Sequence, residues 1–196
     1  MEYVVSPPDI VRSINQLWLL RHWIRARGAG QLPPSESLTA EELADISANL
    51  LSTDVVNGGA ARFLIRCSGP RIMEYFGASC STGGQGRFLD EVLPAGYRDA
   101  ALATFHEVLA ARAPVYTIAD MRDRAGRIVH FERLLLPFGR DGMAVDRIIA
   151  SIEAVSPEGV FDGHHLMTGP SLPPAFAFCT IIDTSGTATD SHLSRP

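Results

Sequence analysis

Residues 128–155, IVHFERLLLPFGRDGMAVDRIIASIEAV, decide the fold. They read as two strands, Ile128 to Phe138 and Ala144 to Val155, joined by Gly139-Arg140-Asp141-Gly142. An Asp-Gly pair between two apolar runs is a strong hairpin signal. Along the first strand, Val129, Phe131, Arg133 and Leu135 point one way. His130, Glu132, Leu134, Leu136 and Phe138 point the other, because side chains alternate across a strand. Large apolar groups on both faces imply a strand covered on both faces. The hairpin is therefore expected mid-sheet, and the rest of the chain must supply two covers.

Working outward, residues 96–113 read as the longest core helix, with Ala101, Leu102, Phe105, Val108 and Leu109 on its apolar face and Pro114 as its stop. Val115 to Arg122 reads as a strand that turns at Asp123-Arg124-Ala125-Gly126 into the hairpin. Upstream, Leu50 to Val56 and Arg62 to Cys67 form two strands around Asn57-Gly58-Gly59. Ser68 to Phe76 is a short helix with Ile72, Met73 and Phe76 on its apolar side. Residues 77–86 are a flexible Gly/Ser segment, and Phe88 to Leu93 is a helical turn ended by Pro94.

At the N-terminal side, residues 9–27 read as a helix capped by Asp9. Its broad stripe of Ile10, Ile14, Leu17, Trp18 and Ile24 must cover a sheet face or a dimer seam. Residues 28–38 read as a linker, and Thr39-Ala40-Glu41-Glu42 fits a capping box opening a short helix. After Ser156 the chain is rich in Pro, Gly, Ser and Thr, with one apolar island, Phe176 to Ile182. The expected division is thus helix and linker over 1–38, one α+β domain over 39–156, and a disordered tail over 157–196.

Composition narrows the function. The chain has 196 residues, 46% hydrophobic and 20% charged, with formal net charge −5. Mild acidity argues against a nucleic-acid partner. All 17 basic residues are Arg, which excludes a Schiff-base lysine and a Walker-type phosphate loop. The three cysteines, Cys67, Cys80 and Cys179, lie far apart without metal spacing, as in a reducing compartment. No signal peptide and no run of about 20 apolar residues is read, so a cytoplasmic protein without membrane insertion is expected.

Leu17-Trp18-x4-Trp23-x3-Arg27-Gly28, Leu50 to Val56, Arg62-Phe63, Gly69-x-Arg71, Phe131-Glu132-Arg133-Leu134-Leu135-Leu136-Pro137 and Val145-Asp146-Arg147-Ile148-Ile149 resemble the PAS domain family, in particular small stand-alone bacterial PAS proteins. The resemblance covers residues 10–155. It implies a five-stranded antiparallel sheet with helices on one face, joined by the N-terminal helix. It also implies a sensory or interaction module without its own output domain. A small, mainly apolar ligand or a signalling protein is the expected partner, and the N-terminal helix is the expected seam of any homodimer. The expected cavity lining is Met73, Phe76, Phe88, Leu102 and Phe105 from the helical side, with Tyr116, Phe131 and Arg133 from the sheet.

Other chemistry is weakly represented. Gly83-Gly84-Gln85-Gly86 lacks the Lys and the strand-to-helix setting of a phosphate loop. Some PAS domains hold haem through a helical His, which draws attention to His106, but a lone helical His is weak evidence. Cys80, in GASCSTGG, does not match the flavin-photosensing setting. His164-His165 read as solvated. Asp120 and Asp123 read as exposed, no nucleophile–base pair is found, and no enzyme is expected; a cavity enzyme would need a buried acid or base. Arg133, if buried, needs a carboxylate partner or an anionic ligand. A core filled by its own side chains, serving as an interaction scaffold, is the alternative to a ligand sensor.

Overall fold

The computed structural model describes residues 2–77, 84–164, 166–167 and 174–185. Cys80, Gly83, His165 and most of the 77–86 segment lie outside the described residues. Seven strands form one sheet: β1 (Val4–Ser6), β2 (Leu50–Val56), β3 (Arg62–Ser68), β4 (Val115–Arg122), β5 (Ile128–Phe138), β6 (Arg147–Val155) and β7 (Ala175–Ile182). Their order is β1-β7-β4-β5-β6-β2-β3. The helices are α1 (Ile14–Arg27), α2 (Pro70–Phe76), α3 (Leu89–Val92) and α4 (Ala95–Ala111).

The five-stranded antiparallel PAS sheet expected from the resemblance is corrected by this topology. The sheet has seven strands and is mixed, because β1 pairs with β7 in parallel. The five strands read from the sequence all form and lie side by side. β7 pairs along β4 from Val115 opposite Ile181 to Asp120 opposite Ala175, and β1 then pairs with β7. The physical reason is the edge of β4. Val115 to Ala119 are buried, and an unpaired edge of that kind would expose a row of backbone donors and acceptors.

The expected disordered tail is corrected over the same stretch. Thr180 and Ile182 are buried, and the Ile182 amide donates to the Pro114 carbonyl at 2.8 Å. Leu166 and Met167 are buried too, and the Met167 amide donates to the Tyr75 carbonyl at 3.0 Å. The linker reading of 28–38 also changes: Leu32 and Leu38 are core residues, and the Gly139 amide donates to the Pro33 carbonyl. Pro and Gly shape the path there without preventing burial.

Helices cover both faces of the sheet. On one face, Val129, Phe131 and Leu135 of β5 pack with Ile72 and Phe76 of α2, Leu89 of α3 and Phe105 and Val108 of α4. On the other, Leu134, Leu136 and Phe138 pack with Leu19, Leu20 and Trp23 of α1. The alternation in β5 therefore separates two cores. Two polar anchors two turns apart fix α1 on its face. Buried Gln16 donates to the carbonyls of Glu132 at 3.3 Å and Ser151 at 3.0 Å, and the Trp23 indole donates to the Pro137 carbonyl at 2.6 Å. The helix starts later than Asp9. Ser13 caps it by accepting from the Gln16 amide, and Pro8–Ile10 is a separate single turn. Thr39 and Glu42 do exchange capping-box hydrogen bonds, but the following segment winds as a 3-10 helix, Ala44–Asn49.

Candidate functional site

The space between the sheet and α2–α4 is where the expected lining residues were to meet. Phe76, Phe105 and Arg133 do converge there, with Leu51, Leu89, Leu93, Tyr97, Leu135 and Met167 among the other walls. The cavity they enclose is about 20 Å³. A single water needs about 10–15 Å³ by this measure, so the space is no more than water-sized. Phe131 packs on the same side, edge-on to Tyr75 and Tyr97. Met73 and Leu102 are half-buried against this core without lining the cavity. Phe88 is half-buried beneath the Arg62 guanidinium, 3.6 Å from its ring centre.

Tyr116 is on the opposite face. β4 and β5 pair so that Thr117 lies opposite Arg133 and Tyr116 opposite Leu134. The Tyr116 side chain therefore joins the α1 core, where its hydroxyl donates to the Glu132 carboxylate at 2.6 Å. Burial, reinforced by the Glu132 carboxylate, pushes the Tyr116 phenol well above its usual range. His106 is exposed, its ring edge-on to Phe63, so it does not face the cavity as a haem ligand would.

Arg133 is a buried cation, only 3% exposed. Its Nε donates to Thr117 Oγ1 and its Nη2 to Thr104 Oγ1, both at 3.0 Å. The guanidinium lies 5.6 Å from the Tyr97 ring centre and 5.1 Å from that of Phe176 on β7. Among the described residues no carboxylate stands within ion-pair distance of it. The structural ion pair weighed from sequence is thus replaced by hydroxyls and ring faces. Tyr97 is also buried. Burial raises its phenol above the ordinary value, and the charge and hydrogen bonding of nearby Arg133 oppose that. Sequence reasoning missed Tyr97, Thr104 and Thr117. Tyr97 and Thr104 fall on the helical stripe of Ala101, Phe105 and Val108, a spacing that could have found them.

Two surface features remain. An Asp120–His130 pair, 2.8 Å apart on neighbouring strands, borders a depression with Arg12 and Phe178. It has the geometry of a cross-strand ion pair. A larger apolar groove, about 630 Å³, runs along the outer side of α1. Pro7, Pro8, Asp9, Leu17, Trp18, Arg21, Ile24 and Arg25 line it. Among the described residues no group of His, Cys, Asp or Glu could hold a metal ion, and no helix is long and apolar enough to cross a membrane. No family model matches the chain, and a search of curated proteins found no match.

Proposed function

We propose that this chain is a protein-interaction module that docks an acidic amphipathic segment of a partner protein in the groove along α1. The contrast between inside and outside carries the reading. The cavity between the sheet and α2–α4 offers about 20 Å³, whereas the groove offers about 630 Å³ of largely apolar space. Small-molecule pockets span roughly 300–1,000 Å³, so the packed core gives little support to the expected metabolite sensor.

Charge selects the occupant. α1, INQLWLLRHWIRAR, carries Arg21, Arg25 and Arg27 and no carboxylate, in a chain of net charge −5. Arg21 and Arg25 are exposed at the groove, and neither forms an ion pair among the described residues. Asp9 adds one negative charge at the same groove. Trp18 is 38% exposed, and Ile14, on the outer side of the same helix, is 85% exposed. A partner helix with carboxylates four residues apart would match the two arginines while its apolar face met Leu17, Trp18 and Ile24. A second copy would oppose two acid-free, Arg-bearing helices, which like-charge repulsion disfavours.

The test is titration with a labelled amphipathic peptide bearing Glu on its flank, against a twin bearing Lys. The Glu peptide should bind, more weakly as salt rises. Arg21→Glu with Arg25→Glu should weaken it about tenfold, as two partly screened pairs imply. Equal binding of both peptides, or a dimer by sedimentation that buries Trp18, would overturn the reading.

A further inference from the structure

We propose that the depression at the start of α1 is a binding site for a small amino acid with an apolar side chain. Gln16 pins the first turn of α1 over Glu132. The next row of the same sheet face, Asp120 opposite His130, therefore lies beyond the helix and is left open. Ile118 and Phe178, opposite each other on β4 and β7, continue the floor. Ile10 and Arg12 wall it from the segment that leads into α1. The Arg12 backbone stands within hydrogen-bonding range of the Tyr116 hydroxyl, which ties that wall to the sheet. The space is about 380 Å³, within the roughly 300–1,000 Å³ of small-molecule sites.

The charges select the ligand. His130 Nδ1 and Asp120 Oδ1 are 2.8 Å apart, so the proton on that nitrogen is given to the carboxylate. Nε2 of neutral His130 and the second Asp120 oxygen are left as acceptors. Arg12 is a pure donor, exposed and in no ion pair among the described residues. Arg122 and Glu132, next on the same faces of β4 and β5, are engaged with the Gly126 carbonyl and the Tyr116 hydroxyl. An anion alone would meet the Asp120 charge and a cation alone the Arg12 charge. An apolar molecule would desolvate both without pairing either. A carboxylate on Arg12 and an ammonium on Asp120 and His130 pair them together, while an apolar side chain covers Ile118 and Phe178.

The experiment is calorimetric titration of the full chain with L-phenylalanine, L-leucine, 3-phenylpropionate and phenethylamine at one pH and ionic strength. Phenylalanine or leucine should bind saturably. Phenylpropionate lacks the amine and phenethylamine the carboxylate, so each loses a charged hydrogen bond and should bind about tenfold more weakly than phenylalanine. Arg12→Gln should weaken phenylalanine about tenfold without weakening phenethylamine, and Asp120→Asn should do the same without weakening phenylpropionate. Both residues are exposed, so both variants should fold, as circular dichroism would show. Arg21→Glu with Arg25→Glu, in the groove along α1, should leave phenylalanine binding unchanged. No saturable heat with either amino acid at millimolar concentration, or equal binding of the three aromatic compounds, overturns the site. So does an affinity for phenylalanine unmoved in Arg12→Gln or Asp120→Asn, or lost in the groove variant.

Discussion

Ile182→Ala tests whether β7 belongs to the folded unit. Ile182 is 1% exposed, belongs to the core under α1, and anchors its strand through the 2.8 Å hydrogen bond to Pro114. Truncating a buried Ile to Ala removes its transfer energy and leaves a cavity, together about 2–5 kcal/mol. The strand is near the sheet edge and can relax, so about 3 kcal/mol is expected. In a chain of 196 residues each kcal/mol moves Tm by about 2–4 °C, which gives a fall of about 6–12 °C. Val160→Ala is the control. Val160 is 88% exposed, and its change should stay within about 0.5 kcal/mol. The assay is melting by circular dichroism, with urea unfolding to confirm an unchanged m-value. A shift for Ile182→Ala no larger than the control's would refute the packing of β7.

Tyr116→Phe should cost about 1–3 kcal/mol, because Glu132, only 5% exposed, loses its hydroxyl donor. Adding Glu132→Leu should restore most of that loss, measured as a double-mutant cycle in urea. Asp123→Asn should flatten the acid limb of stability. Burial would raise the Asp123 carboxyl, but hydrogen bonds from the Arg127 backbone and guanidinium and from the Asp162 amide outweigh it, holding it below the ordinary carboxylate value. A depressed folded-state value stabilises above the unfolded one and fades as pH falls through it. The gap in Tm between wild type and variant should therefore be constant above about pH 5 and shrink below pH 4.

Much of the sheet was legible because its strands carry their own signals. Leu50–Val56 and Ile128–Phe138 form with the bounds expected from their β-branched and apolar runs. β7 was not legible as a strand, because its neighbours set an average composition that hides eight suitable residues. Its stability comes from β4, distant in sequence. Tyr116 was misplaced for a different reason. Which face a strand residue takes depends on register, and one residue in the 123–127 turn decides whether Tyr116 or Thr117 joins Arg133. Within the cavity, residue types identified Phe76, Phe105 and Arg133, but not that neighbouring side chains fill the space between them. Packing density is a property of the assembled core, not of any one segment.

The pairing of β1 with β7 has a mechanical consequence. Val4 lies opposite Thr180 and Ser6 opposite Ile182, with both strands running the same way. Tension applied between residues 4 and 182 pulls one strand towards its start and the other towards its end. The pair is then loaded in shear, so its hydrogen bonds resist together rather than parting one after another. The Thr180 hydroxyl, bonded to the Val4 carbonyl and the Ser6 hydroxyl, crosses the same plane of slip. Three residues of β1, a modest contribution to equilibrium stability, thereby form a clamp against stretching, a resistance set by the rate of unfolding rather than by its free energy.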